Sequence, residues 1–120
     1  MKILVADDSK AMRMIVVRTL RQAGLNGHEI VEATNGREAL DLTKKVKPDL
    51  ILSDWNMPEM TGIEVLRQLR AAGNDVKFGF VTSECTPEMM QAAESAGSLF
   101  FIVKPFSAER FDEVFAPILG

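Results

Sequence analysis

At 120 residues the chain has the length of one compact domain, which leaves no room for a fused catalytic or DNA-reading module. Apolar residues at 47% and charged residues at 26% match a globular composition and exclude a disordered or fibrous chain. Fourteen Lys and Arg against seventeen Asp and Glu give a net charge of −3, which excludes any general attraction to nucleic acid or anionic lipid.

The apolar pattern changes period repeatedly along the chain. Ile3-Leu4-Val5-Ala6 is a solid apolar run that stops at Asp7-Asp8, the mark of a strand buried on both faces. From Lys10, the positions Met12, Ile15, Val16, Thr19, Leu20 and Ala23 recur at helical spacing, with Ser9 as N-cap and Gly24 as the stop. Glu29 to Ala33 alternates charged and apolar residues, as a strand at a sheet edge does. Asn35 and Glu38 form a capping pattern for a second helix that runs to about Lys45, before Lys47-Pro48 breaks it. Asp49 to Asp54 is a third strand, apolar within and acidic at its end. After the turn Trp55 to Met60, Thr61 and Glu64 open a third helix with Ile63, Leu66 and Leu69 inward. Lys77 to Thr82 is a fourth strand in which Gly79 has no local reason to occur. Thr86-Pro87 starts a fourth helix that Gly97 ends, Leu99 to Val103 is a fifth strand, and Ser107 caps a last helix carrying Phe111, Val114, Phe115 and Ile118. Pro117 is expected to fray the end of that helix.

Five strands alternating with five helices predict a single α/β domain over residues 1–120, a doubly wound parallel sheet with helices on both faces. The one cysteine, Cys85, rules out an intrachain disulfide, and the first residues turn acidic before a signal-peptide core could form. No apolar run nears the roughly 18 residues of a membrane span. A cytoplasmic protein with no membrane or nucleic-acid partner is expected.

Parallel strands share one rim at their carboxyl ends, and ligands of open α/β sheets bind outside it. The residues that end the strands here are Asp7-Asp8, Ala33-Thr34, Asp54, Thr82-Ser83 and Lys104-Pro105. Two unit charges about 4 Å apart interact by roughly 4 kcal/mol at an effective dielectric near 20, so three clustered aspartates need compensation. Lys104 offsets one of them, and the remaining deficit with an all-oxygen donor set suits Mg²⁺. The only histidine, His28, is expected in solvent, and with a single cysteine beside it there is no set for zinc. A carboxylate on such a rim can accept a phosphoryl group, and Asp54 on a central strand is best placed for it. Asp7 and Asp8 would hold metal, while Thr82 and Lys104 would meet phosphoryl oxygens.

The sequence resembles the receiver domains of two-component response regulators, the single-domain chemotaxis type in particular. The residues that carry this resemblance are Val5-Ala6-Asp7-Asp8-Ser9, Ser53 to Gly62, Val81-Thr82-Ser83 and Val103-Lys104-Pro105-Phe106, and it spans the whole chain. It implies a flavodoxin-like fold with strand order 2-1-3-4-5. It also implies that a histidine kinase donates a phosphoryl group to Asp54, with Mg²⁺ on Asp8, Asp54 and the Asn56 carbonyl and with Asp7 acting mainly through water. Thr82 and Phe101 would then act as switch residues that reshape the surface of the fourth helix, fifth strand and fifth helix. That surface would meet a target, with the flagellar motor switch the leading expectation. Asn56 and Glu84 occupy positions that in the family tune phosphoryl loss, in some members with a phosphatase. Such a protein is a stand-alone phosphoacceptor for signalling, whose only catalysis is of its own phosphorylation and dephosphorylation.

Two departures stand out. Phe101 replaces the tyrosine usual in the chemotaxis pattern, and Phe100 stands where a small residue is common. Each rim residue also has a plain role on its own: Asp7 and Asp8 as helix caps, Asp54 as a turn former, Thr82 as a strand end, Phe101 as a core aromatic. Met89 and Met90 pack inward or form an adaptable partner face. The Lys104-Pro105 bond is a candidate for the cis form. The competing functions are a phosphorelay intermediate or adaptor for another target, an aspartate-nucleophile phosphohydrolase, a flavin module, and a receiver-like domain that is never phosphorylated. The absence of Asp-x-Asp after the first strand weighs against the hydrolase, and the acids there weigh against a flavin phosphate.

Overall fold

The computed structural model describes residues 1–24 and 27–119. Five strands and five helices alternate: β1 (Lys2–Ala6), α1 (Lys10–Gln22), β2 (Glu29–Ala33), α2 (Gly36–Val46), β3 (Leu50–Ser53), α3 (Gly62–Ala71), β4 (Lys77–Thr82), α4 (Pro87–Ser95), β5 (Phe100–Val103) and α5 (Ala108–Leu119). The strands form one parallel sheet in the order β2-β1-β3-β4-β5. The expected edge strand, β2, is at the edge, and the solid apolar runs β1 and β3 are interior.

Because side chains alternate across a strand, each apolar run feeds two cores at once. Leu4, Ile51, Phe78 and Phe80 face one side with Leu66 and Leu69 of α3. Ile3, Val5, Leu50, Leu52, Val81 and Ile102 face the other with Val16 and Leu20 of α1 and Phe111 and Phe115 of α5. The helices start where side chains satisfy their free N–H groups: Ser9, Asn35, Thr61 and Thr86 each accept from the backbone N–H three residues on.

Three expectations need correction, and Gly79 gains an explanation. Ile15 is 43% exposed, and its place on the inner stripe of α1 is taken by Arg13, which is buried with Val16, Thr19 and Leu20. Pro117 lies inside α5. In the last turn a proline forfeits only one intrahelical bond, and Lys77 Nζ donates to the nearby Ile118 carbonyl at 3.0 Å. His28 is half-buried, with Nδ1 3.3 Å from the Met1 amino group. Gly79 has its reason on the neighbouring strand: it pairs with Phe100, and a Cβ there would overlap the Phe100 ring.

Candidate functional site

The backbone carries the sheet ladder one residue past each strand and so fixes the rim. The N–H of Asp7 donates to Ala33 O at 3.1 Å, that of Asp54 to Ala6 O at 2.8 Å, and that of Lys104 to Thr82 O at 2.9 Å. These bonds aim three side chains from β1, β3 and β5 into one depression.

A carboxylate oxygen from each of Asp7, Asp8 and Asp54 lies within 4.8 Å of the others. Asp7 is buried; its Oδ1 accepts from the Ser9 N–H at 2.9 Å and its Oδ2 faces Lys104 Nζ at 3.1 Å. Asp54 Oδ1 accepts from the Trp55 N–H at 2.7 Å, and Oδ2 lies 3.5 Å from Lys104 Nζ. Lys104 therefore serves two carboxylates rather than one. Asp8 is exposed at the mouth. Burial raises the Asp54 carboxyl above its ordinary value and outweighs the pull of Lys104; Asp7 raises it further, while Thr82 and the Trp55 N–H lower it. A partly buried acid held up in this way, beside two more carboxylates, gains from a hard, oxygen-preferring cation, so the donor set fits Mg²⁺.

Thr82 is buried at the end of β4, its Oγ1 accepting from the Glu84 N–H at 3.4 Å. Asn56 Nδ2 donates to Glu84 Oε1 at 2.8 Å in an exposed bridge over the rim. The Phe101 ring lies tilted 5.8 Å from that of Phe80, which in turn lies 4.9 Å from Trp55, so one aromatic row runs from beside Asp54 to β5. The Lys104–Pro105 bond is cis. Gly62 permits the close approach of α3: its N–H donates to Trp55 O at 2.8 Å, and a Cβ would overlap the Asp54 carbonyl.

All eight side chains singled out in the sequence lie at this rim or on the row leading from it. Arg13 went unnoticed. Its signal was available: a basic residue at i, i+3 and i+7 spacing with Val16 and Leu20 sits on an apolar stripe, where a cation needs a partner.

The family model of the response regulator receiver domain matches residues 3–116. The chain belongs to that family. It is 39% identical to a chemotaxis protein CheY homolog of Campylobacter jejuni over 123 aligned residues, covering 100% of this chain and 93% of the relative. It is 40% identical to chemotaxis protein CheY-3 of Vibrio cholerae, covering 96% and 92%. Among solved structures, Vibrio cholerae CheY4 superposes with a TM-score of 0.84 at 35% identity over 98% of this chain and 97% of that one. A LuxR-family DNA-binding response regulator from Staphylococcus aureus superposes with a TM-score of 0.89 at 26% identity over 99% and 98%. The fold is thus the flavodoxin-like receiver fold, and the chain is a response regulator receiver domain similar to the CheY proteins. Proteins of this family are signalling proteins, with a histidine kinase upstream and a target downstream. Among the described residues no helix is long and apolar enough to cross a membrane.

Proposed function

We propose that residues 1–120 form one receiver domain that accepts a phosphoryl group on Asp54 from a kinase phosphohistidine, in the cytoplasm, and signals by binding a protein target in chemotaxis. The supporting observation is the Asp54 carboxylate itself, 3.5 Å from Lys104 and clustered with Asp7 and Asp8. Asp7, Asp8, Asp54 and the Asn56 carbonyl would hold Mg²⁺, which supplies positive charge against the transferring phosphoryl oxygens.

The chain's own groups account for the rest. An Asp54 oxygen attacks phosphorus as the P–N bond breaks, and the bonding pair returns to the imidazole of the donor. The Trp55 N–H fixes the rotamer of the Asp54 carboxylate, so attack starts from a set orientation. Lys104, already beside both acids, turns to the new phosphoryl oxygens, and the Thr82 hydroxyl donates to another. Drawing Thr82 away from the Glu84 N–H opens space next to the aromatic row and favours an inward Phe101. Phosphorylation then selects an active arrangement of α4, β5 and α5. That face carries exposed Met90, Leu99 and Val103, apolar side chains suited to a protein target such as the flagellar motor switch. The exposed Asn56–Glu84 bridge would set how quickly the phosphoryl group is lost, with or without a phosphatase.

Intact-mass analysis after treatment with an acyl phosphate and Mg²⁺ tests the reading. The wild-type chain gains one phosphoryl group and Asp54→Asn gains none; equal labelling of the two, or no labelling of either, overturns it.

A further inference from the structure

Arg13 is the second cation of the rim, and it touches no carboxylate of the cluster. Its side chain is 11% exposed; Nη1 donates to the main-chain carbonyl of Asp7 at 2.7 Å, and Nε donates to Glu32 Oε1 at 3.0 Å. The guanidinium thus spans from α1 to the end of β1 and on to β2. The ladder takes up the Asp7 N–H, but among the described residues no backbone N–H donates to the Asp7 carbonyl, which without Arg13 would be a buried acceptor in search of a donor. The planar fork sets the plane of the Asp7–Asp8 peptide by holding that carbonyl toward α1.

Asp8 depends on that plane more than its neighbours do. Asp7 is held by the Ser9 N–H and Lys104, and Asp54 by the Trp55 N–H and Lys104; the exposed Asp8 carboxylate draws on none of these donors. It lies within 4.8 Å of the other two, and among the described residues no hydrogen bond or ion pair holds its side chain there, which leaves the backbone to place it. We infer that Arg13, steadied by Glu32, is the positioning residue of the Mg²⁺ site, holding the Asp7–Asp8 peptide so that Asp8 faces the ion before it arrives. This inference rests on the metal reading given above.

Charge and geometry make opposite demands here, which makes the inference testable. A guanidinium near a cation site repels the cation, so charge alone has Arg13→Met bind Mg²⁺ more tightly. Positioning has it bind more weakly. Trp55 is the only tryptophan, and its N–H bonds Asp54, so its fluorescence reports Mg²⁺ titrations of the full chain without any phosphodonor. Arg13→Met is expected to raise the Mg²⁺ Kd by roughly 3- to 10-fold, at or just below the roughly 10-fold low end seen when a group that orients a metal ligand is removed, because Arg13 acts through the backbone. Arg13→Lys, which keeps the charge and can reach the carbonyl but not span to Glu32, falls between wild type and Arg13→Met. Arg70→Met, which cuts the ties of α3 to the Asn74 and Gly97 carbonyls, loses stability with no change in Kd.

Unchanged or tighter Mg²⁺ binding in folded Arg13→Met overturns the inference, as does an equal weakening in Arg70→Met. If Arg13→Met does not fold, Arg13→Lys decides at constant charge, with weaker binding supporting the inference and wild-type binding overturning it. Wild-type fluorescence that ignores Mg²⁺, with no change in thermal stability on adding the ion, removes the metal reading and this inference together. Wild-type binding that the Arg13 variants leave intact removes this inference alone.

Discussion

Gly79 of β4 and Phe100 of β5 sit opposite each other in the parallel register, and the Phe100 ring occupies the space that a side chain at 79 would fill. The ring goes on to meet Phe115 of α5 edge to face at 5.0 Å, so one glycine lets an aromatic reach from the sheet to the last helix. Gly79→Ala is expected to cost about 1–3 kcal/mol by overpacking, and Phe100→Ala about 2–3 kcal/mol by lost packing. The double variant should be less destabilised than the sum by about 1 kcal/mol, because its small side chain at 100 makes room for the new methyl. Urea denaturation of the four proteins measures this coupling; additive losses would mean that the two positions are independent.

Asp54 makes the metal-free protein less stable at neutral pH. Its folded-state carboxyl titrates above the ordinary value of 3.8, mainly because it is buried, so the native state binds more protons than the unfolded chain just above that value. Stability therefore falls as pH rises from the ordinary value through the folded one, and the loss persists at pH 7. In buffer with chelator, Asp54→Asn is expected to melt higher than wild type at pH 7, with the gap closing as pH drops below 3.8. A gap that does not change with pH would locate the effect in packing instead.

Lys104 holds Asp7 and Asp54 together at 3.1 and 3.5 Å with little access to water. Removing it leaves two carboxylates in the rim without a fixed countercharge, at a cost of about 2–4 kcal/mol. Lys104→Ala should then gain more in Tm from added Mg²⁺ than wild type does, since the ion would supply the missing charge. Calorimetry with and without the ion reads the difference, and an equal gain would argue that Lys104 and the ion act on separate groups.

The bridge between Asn56 and Glu84 is exposed, so its contribution to stability is small. Asn56→Ala is expected to shift unfolding by less than about 0.5 kcal/mol. The same variant should change the rate of phosphoryl loss by roughly 2- to 10-fold, followed by mass analysis over time after donor removal. A large stability loss with an unchanged rate would assign the bridge to the fold.

Much of this was legible in the sequence because it is local. Buried parallel strands write themselves as solid apolar runs, and Ser9, Asn35, Thr61 and Thr86 announce helix starts through bonds only three residues long. The rim was legible for a different reason: in a parallel sheet the carboxyl ends of the strands share one edge, however far apart they are along the chain. What stayed hidden depends on partners far along the chain. Gly79 is explained only by Phe100, and Lys104 is shared between two acids because β1 and β3 adjoin. Arg13 faces inward because Asp7 and Glu32 wait for it there, which turns Ile15 out to solvent.

Cys85, the single thiol, is exposed in the connection between β4 and α4, with its sulfur 3.4 Å from that of Met90. A maleimide dye or spin label would therefore attach at one place, one residue from the Asn56–Glu84 bridge and against the first turn of α4. Without any engineered cysteine, the native chain offers a spectroscopic handle on the loop that joins the acidic rim to α4.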